Sequence, residues 1–122
     1  MSQAASQAWA FYRDVAQNRK VWTVRDEGDF LAPKTSGGSR AQPFWSSLSL
    51  VQRIIRTVPA YGSCEPYEVS WEDFCAKWVP GLVRDGINIG VNWSGPRAVG
   101  FDIAADRVRQ SVEALIKEGQ NP

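Results

Sequence analysis

The stretch from Tyr67 to Trp93, YEVSWEDFCAKWVPGLVRDGINIGVNW, couples one helix to one strand and constrains how the rest of the chain can fold. Ser70 stands just ahead of a periodic apolar run, where its hydroxyl can accept from the free N–H groups of a first turn. Asp73, three residues on, completes a weak form of the capping box. Trp71, Phe74, Cys75, Trp78, Val79 and Leu82 follow at three- and four-residue steps, which places them on one helix face. Pro80 cannot donate a backbone hydrogen bond, so the helix is expected to stop or kink near Val79. Asp85-Gly86 then reads as a reversal. From Ile87 to Trp93 apolar residues alternate with Asn and Gly, the pattern of a half-buried strand. Ile87, Ile89, Val91 and Trp93 should face the core. Asn88, Gly90 and Asn92 take the other face, either as a shallow polar groove for a partner or as a bulge on a solvated surface.

The remaining elements follow in order. Ser6 to Gln17 reads as a helix with Trp9, Tyr12, Val15 and Ala16 on one side, capped by Ser6. Val21 to Arg25 reads as a strand. Asp26-Glu27-Gly28-Asp29 forms a turn with an acidic rim, and Phe30 to Ala32 returns as a second strand. Lys34 to Arg40 has the glycines and basic ends of a phosphate loop but neither the spacing nor the following helix, so a plain loop is the better reading. Gln42 to Trp45 reads as a strand, with Pro43 marking an edge or a start. Ser47 or Ser49 caps a helix running to Val58, whose apolar face is Leu50, Val51, Ile54, Ile55 and Val58. Tyr67-Glu68-Val69 is a short strand. Val99, Phe101 and Ile103 alternate as a last strand, and Ala104 to Glu118 is the final helix. The expected fold is α+β: a small mixed, mainly antiparallel sheet covered by about three main helices, in a single domain over 1–122.

The run Y-E-V-S-x-E-x-F-x-x-x-W-x-P-G-L-x-x-D-G-x-x-x-G-V-N-W resembles a small bacterial family defined only as a domain of unknown function, number twenty-seven fifty. The likeness extends to V-W-T-V-R-D near the start and to P-F-W-S-S before the middle helix, and so covers most of the chain. That family brings no catalytic residues to carry over. Small bacterial domains of this type look like some immunity proteins that neutralise secreted toxins.

Chemistry is limited by what the sequence lacks. There is no histidine, which removes the usual general base near neutral pH and the commonest zinc ligand. Ser-His-Asp and Cys-His schemes are excluded, and no G-x-G-x-x-G follows a strand. The expectation is no catalytic residue, no metal and no cofactor. Cys64, in a Gly-Ser-Cys-Glu loop, is expected exposed, and Cys75 on the helix face is expected in the core, both as free thiols. All six tryptophans fall where packing would turn them inward. No apolar run approaches the roughly 20 residues of a membrane span. The first residues lack the basic region and apolar core of a signal peptide, so a cytoplasmic location is expected.

Charge is unevenly spread. Residues 1–60 carry eight basic and four acidic side chains, and residues 61–122 carry six and nine. Glu65, Glu68, Glu72 and Asp73 all fall between Arg56 and Lys77, where there is no basic residue. As a contiguous acidic patch they would suit a basic protein partner; as scattered groups they form an ordinary solvated rim, with Glu72 and Asp73 also favoured by the helix dipole. Tyr61 and Tyr67 flank the segment as candidate aromatic anchors, with Asn88 and Asn92 as a second surface. The reading is a non-catalytic protein-binding domain, an immunity protein whose partner is a bacterial effector toxin. The alternative is a nucleic-acid-binding or regulatory module that uses Arg19, Lys20, Lys34 and Arg40 of the basic half.

Overall fold

The computed structural model describes residues 2–35 and 37–120. The chain begins with helix α1, Gln3–Asn18, capped by the Ser2 hydroxyl, which accepts from the Ala5 N–H. The cap therefore lies one turn earlier than Ser6, which sits exposed inside the helix. Arg19 takes a left-handed conformation and turns the chain into β1, Lys20–Asp26. Glu27 and Gly28, with φ of 52° and 89°, form the two-residue turn to β2, Asp29–Phe30. Positive φ at both central residues matches the twist of the paired strands. After a loop come β3, Ala41–Phe44, and α2, Leu48–Thr57, capped by Ser47. A single 3₁₀ turn, Pro59–Tyr61, leads to β4, Glu65–Ser70.

Helix α3 spans 71–85. Ser70 caps it by accepting from the Asp73 N–H. It does not stop at Val79. After Trp71–Asp73 the chain widens into a π-helical turn, Phe74–Trp78, in which the Val79 N–H reaches back five residues to the Phe74 carbonyl. The helix then resumes over Val79–Asp85 with Pro80 in its first turn, where a missing N–H is tolerated. Gly86 closes it at φ 69°. Strand β5, Asn88–Val91, β6, Asp102–Ile103, and helix α4, Ala105–Gln120, complete the fold. Val99 and Phe101 do not join β6 as an inward-facing strand: they are 61% and 44% exposed, and only Asp102 and Ile103 pair with β5.

The strands form two three-stranded sheets, β2-β1-β4 and β3-β5-β6, in an α+β fold that is mainly antiparallel. The β3–β5 pair is parallel. Reciprocal backbone hydrogen bonds between Trp22 and Trp45, 2.7 and 2.8 Å, join the sheets. Strand β1 is buried on both faces. Val21 points into a core shared with α1, α3 and α4, built around Phe11, Phe44, Phe74 and Ile89. Trp22 and Val24 point into a second core under α2, with Val51, Ile54 and Trp45. In the first core the ring of Phe44 meets Phe74 edge-on at 5.1 Å and Trp78 at 5.8 Å.

Two aromatic placements depart from the periodic pattern. On α1 the buried stripe is Ala8, Phe11 and Val15, so Trp9 falls outside it and is 49% exposed. The loop before β4 folds back through a hydrogen bond from the Cys64 N–H to the Tyr61 carbonyl. That return buries Cys64, expected on the surface, together with Tyr61 in the second core.

Candidate functional site

The open end of the β1–β4 pair gathers the groups best suited to contact another molecule. Arg25 and Glu65 sit directly opposite each other in the ladder, and Arg25 Nε donates to Glu65 Oε1 at 2.7 Å. The same guanidinium lies 4.6 Å above the ring of Tyr67, two residues along β4, a cation–π geometry that fixes both side chains. Beyond Tyr67 the ring of Phe30 stands edge-on at 5.1 Å, and Phe30 meets Trp78 at 4.8 Å. Three elements supply this aromatic group: β2 brings Phe30, β4 brings Tyr67, and the π turn of α3 brings Trp78. Phe30 remains 37% exposed, while Tyr67 and Trp78 are half-buried.

The hairpin register carries acidic groups to the same end. Asp26 pairs with Asp29 across the turn, with Glu27 between them, and Arg25 pairs with Phe30. Asp26 also accepts from the Ser63 hydroxyl at 2.8 Å, which ties the hairpin to the segment preceding Glu65. Glu65 is the carboxylate paired with Arg25, while Asp26, Glu27 and Asp29 lie at the adjoining turn, with Asp26 on the opposite face of β1 from Arg25. The acidic turn of the sequence and the later acidic segment meet here because β1 and β4 are antiparallel partners, although about 40 residues separate them in the chain. Among the described residues no three His, Cys, Asp or Glu side chains are grouped to hold a metal ion.

The individual site residues from the sequence fall into three groups. Glu65 and Tyr67 join the surface just described. Glu68 points from the other face of β4 and pairs with Lys20 at 3.1 Å. Asp73 pairs with Lys77 at 3.6 Å, and Glu72 is exposed in the first turn of α3. The four acids between Arg56 and Lys77 therefore do not make one patch, because β4 turns Glu65 and Glu68 to opposite sides. Tyr61 is 5% exposed and belongs to the second core rather than to an anchor surface. Burial, with the nearby Cys64 adding to it, raises its phenol above the ordinary value.

The polar groove on β5 is absent. Gly90 is covered by the indole of Trp93, which lies where a Cβ on Gly90 would stand. Asn92 is 6% exposed, and both ends of its amide are engaged: Oδ1 accepts from the Ser46 N–H at 2.9 Å and Nδ2 donates to Ser46 Oγ at 3.0 Å. Asn88 is half-buried and donates to Asp102 at 3.0 Å. The strand's second face is thus interior structure, made so by the turn at Asn92, φ 50°, which folds Trp93 back over it.

The sequence profile described as "Protein of unknown function (DUF2750)" matches residues 8–112. The chain belongs to this family. None of the curated proteins compared with it matches. The part of this DUF2750 domain that the match covers runs from α1 into α4 and so includes Arg25, Phe30, Glu65, Tyr67 and Trp78. Phe30 and Trp78 escaped the sequence reading as site residues. The first sits in a two-residue strand, and the second belongs to an apolar helix face whose π turn leaves its indole half-covered. No helix among the described residues is long and apolar enough to cross a membrane.

Proposed function

We propose that this DUF2750 protein is a non-catalytic protein-binding domain and that its partner presents a basic surface. The observation that carries this is the Phe30, Tyr67 and Trp78 group, set beside the Arg25–Glu65 pair and the acidic hairpin turn at 26–29. Aromatic side chains and arginine dominate the energetics of protein interfaces when they are surrounded by a polar rim. Here the aromatics hold one another edge-on, so little side-chain freedom is lost on contact. The acidic rim would draw a basic partner and orient it before contact. The sequence contains no histidine, which agrees with a role in binding rather than turnover.

The finer reading is an immunity protein that occludes a toxin. Toxins that act on nucleic acids need cationic active-site surfaces, and such a surface is complementary to this acidic aromatic end. The basic residues named for a nucleic-acid alternative do not converge. Arg19 and Lys20 sit where α1 passes into β1, with Lys20 paired to Glu68. Lys34 and Arg40 face each other across the loop after β2, with Arg40 donating to the Ala32 carbonyl.

The test is co-expression. A pull-down with the wild-type chain and with Phe30→Ala/Tyr67→Ala should recover a basic protein with the first and lose it with the second. The recovered protein should arrest growth when expressed alone and be silenced by the wild-type chain. If the recovered protein is harmless, the immunity reading fails. If the double variant binds as well as wild type, the surface is wrong.

A further inference from the structure

The outer strands differ in how they end their sheets. Strand β4 carries Pro66, whose missing N–H interrupts its outer row of donors, and β2 is only two residues long. Strand β6 has neither guard. It pairs with β5 and with no other strand among the described residues. Three pairings turn alternate residues toward β5 and its extension. Ser94 and Val99 exchange backbone hydrogen bonds of 3.0 and 3.1 Å, the Val91 N–H donates to the Phe101 carbonyl at 3.2 Å, and Ile103 stands opposite Ile89. Asn88 and Asn92 donate to the Arg40 and Phe44 carbonyls instead, so this phase of β5 serves β3 and not β6. The backbone N–H and C=O groups of Gly100 and Asp102 therefore face outward. Along the same segment the side chains of Val99 and Phe101 are exposed, and Ile103 is half-buried. The Gln7 amide rests where a Cβ on Gly100 would stand, on the face of the strand rather than along its edge.

We propose that this edge pairs with the same edge of a second copy of the chain, antiparallel and two-fold about Phe101. That register sets Phe101 opposite its own copy, Val99 opposite Ile103 of the second copy, and Gly100 opposite Asp102 of the second copy. The outward groups of Gly100 and Asp102 then exchange hydrogen bonds in both directions, and each sheet β3-β5-β6 runs on into its copy as six strands. The edge suits its own copy because its apolar row is symmetric: a β-branched residue stands two positions to either side of Phe101. Aromatic and β-branched pairs of this kind are the stabilising unit of antiparallel sheets. The pairing covers Val99 and Phe101, which the isolated fold leaves bare. Asp102, held by Asn88, faces a glycine rather than another carboxylate, so no like charges are directly opposed. Residues 99–103 contain no proline or lysine to prevent the approach. This interface uses other side chains than the Phe30 surface and stands or falls independently of it.

Sedimentation velocity of the full chain from about 1 to about 100 μM tests the proposal, and a monomer–dimer equilibrium within that range is expected. Phe101→Lys, a change at an exposed position, sets two like charges at the two-fold axis. It should raise the dissociation constant by about tenfold or more while leaving the circular dichroism spectrum in place. Oxidative cross-linking then reads the register. Phe101→Cys brings two thiols together at a non-hydrogen-bonded pair, with α-carbons about 4.5 Å apart, within the span of a disulfide. It should give a covalent dimer that the wild-type chain, with only Cys64 and Cys75, does not. Val99→Cys faces position 103 of the other copy rather than its own thiol, and should stay unlinked. The proposal is overturned if the chain is monomeric throughout the range, which would leave the edge to a strand of another protein. It is equally overturned if Phe101→Lys dimerises like wild type, or if Val99→Cys cross-links as readily as Phe101→Cys.

Discussion

The indole of Trp93 lies folded across Gly90, three residues back in the same segment, so that its six-membered ring fills the space a side chain at position 90 would need. The neighbour is a pinned ring rather than the tip of a flexible chain, since Trp93 Nε1 is held by the Phe101 carbonyl. Gly90→Ala should therefore cost about 1–3 kcal/mol, the usual range for overpacking. Urea unfolding monitored by tryptophan fluorescence checks this. A loss within error of zero would mean the indole swings away freely.

Asn92 combines a left-handed backbone with a fully engaged amide. Asn92→Ala removes the acceptor of the buried Ser46 N–H, a loss of about 1–3 kcal/mol. It also places a Cβ residue less suited to φ 50° than asparagine, at a further cost of about 1 kcal/mol. Asn92→Gly loses the same hydrogen bonds but relieves the backbone. The expected order of stability is wild type, then Asn92→Gly, then Asn92→Ala, read from denaturation midpoints. Equal midpoints for the two variants would remove the backbone part of the argument.

Phe30 and Trp78 touch each other but should behave differently on truncation. Trp78 also packs against Phe44 in the first core, and a fully buried tryptophan costs about 3–5 kcal/mol when cut to alanine. Being half-buried, Trp78→Ala should cost about 2–3 kcal/mol. Phe30, on the edge strand, should cost about 1 kcal/mol or less, yet lower the affinity for a captured partner by about 2 kcal/mol, roughly thirtyfold. Thermal unfolding and a binding titration on the same two variants separate these effects. Equal losses of stability would show that Phe30 is a core residue rather than a contact residue.

The thiol of Cys75 is pushed up to about 11 from 9.0, by burial first and by the carboxylate of Glu113 second. At pH 8 it is almost wholly protonated, so Ellman's reagent should label it slowly until denaturant is added. The sign of the pH dependence follows from the same shift. Between pH 9 and about 11 the unfolded chain releases this proton while the folded chain keeps it, so stability falls as pH rises through that window. Cys75→Ala should flatten that part of the pH–stability curve. An unchanged slope would assign it to other groups.

Local chemistry was readable in advance at several single positions, though not at Ser6, which Ser2 replaces as the cap of α1, nor at Pro80, which does not stop α3. Ser70 caps the helix that follows it, Ser47 is one of the two serines the sequence offers as the cap of α2, Asp85-Gly86 reverses the chain, and the acidic turn at 26–29 makes a hairpin. Position in three dimensions was not readable, because it depends on what another element lays over a residue. Tyr61 and Cys64 lie in a loop rich in turn residues, and only the return of their backbone onto α2 buries them. Asn92 looks like a solvent-facing strand residue until the left-handed turn places it against Ser46. Trp9 looks like core until Phe11 and Val15 fix the buried stripe at an angle that leaves it out. The acidic end was half legible: the carboxylates of the hairpin and of β4 stand out, but their meeting depends on a strand register that spacing alone does not set.

Pro80 and the wide turn at Phe74–Trp78 form a pair with a bearing on the history of the family. In a regular helix the proline ring would strike the carbonyl of residue 76, and the break would carry Val79 and Leu82 away from the core they now fill. The wide turn acts as one extra residue inserted into the helix. It gives the ring room and rotates the following turn by about 100°, which returns those two side chains to the interior. Removing a single residue between 74 and 78 would leave Pro80 facing a regular helix that cannot hold it. Replacing the proline alone would remove the reason for the wider turn. Across related chains the two should be gained and lost together, and a relative one residue shorter in this helix should lack the proline.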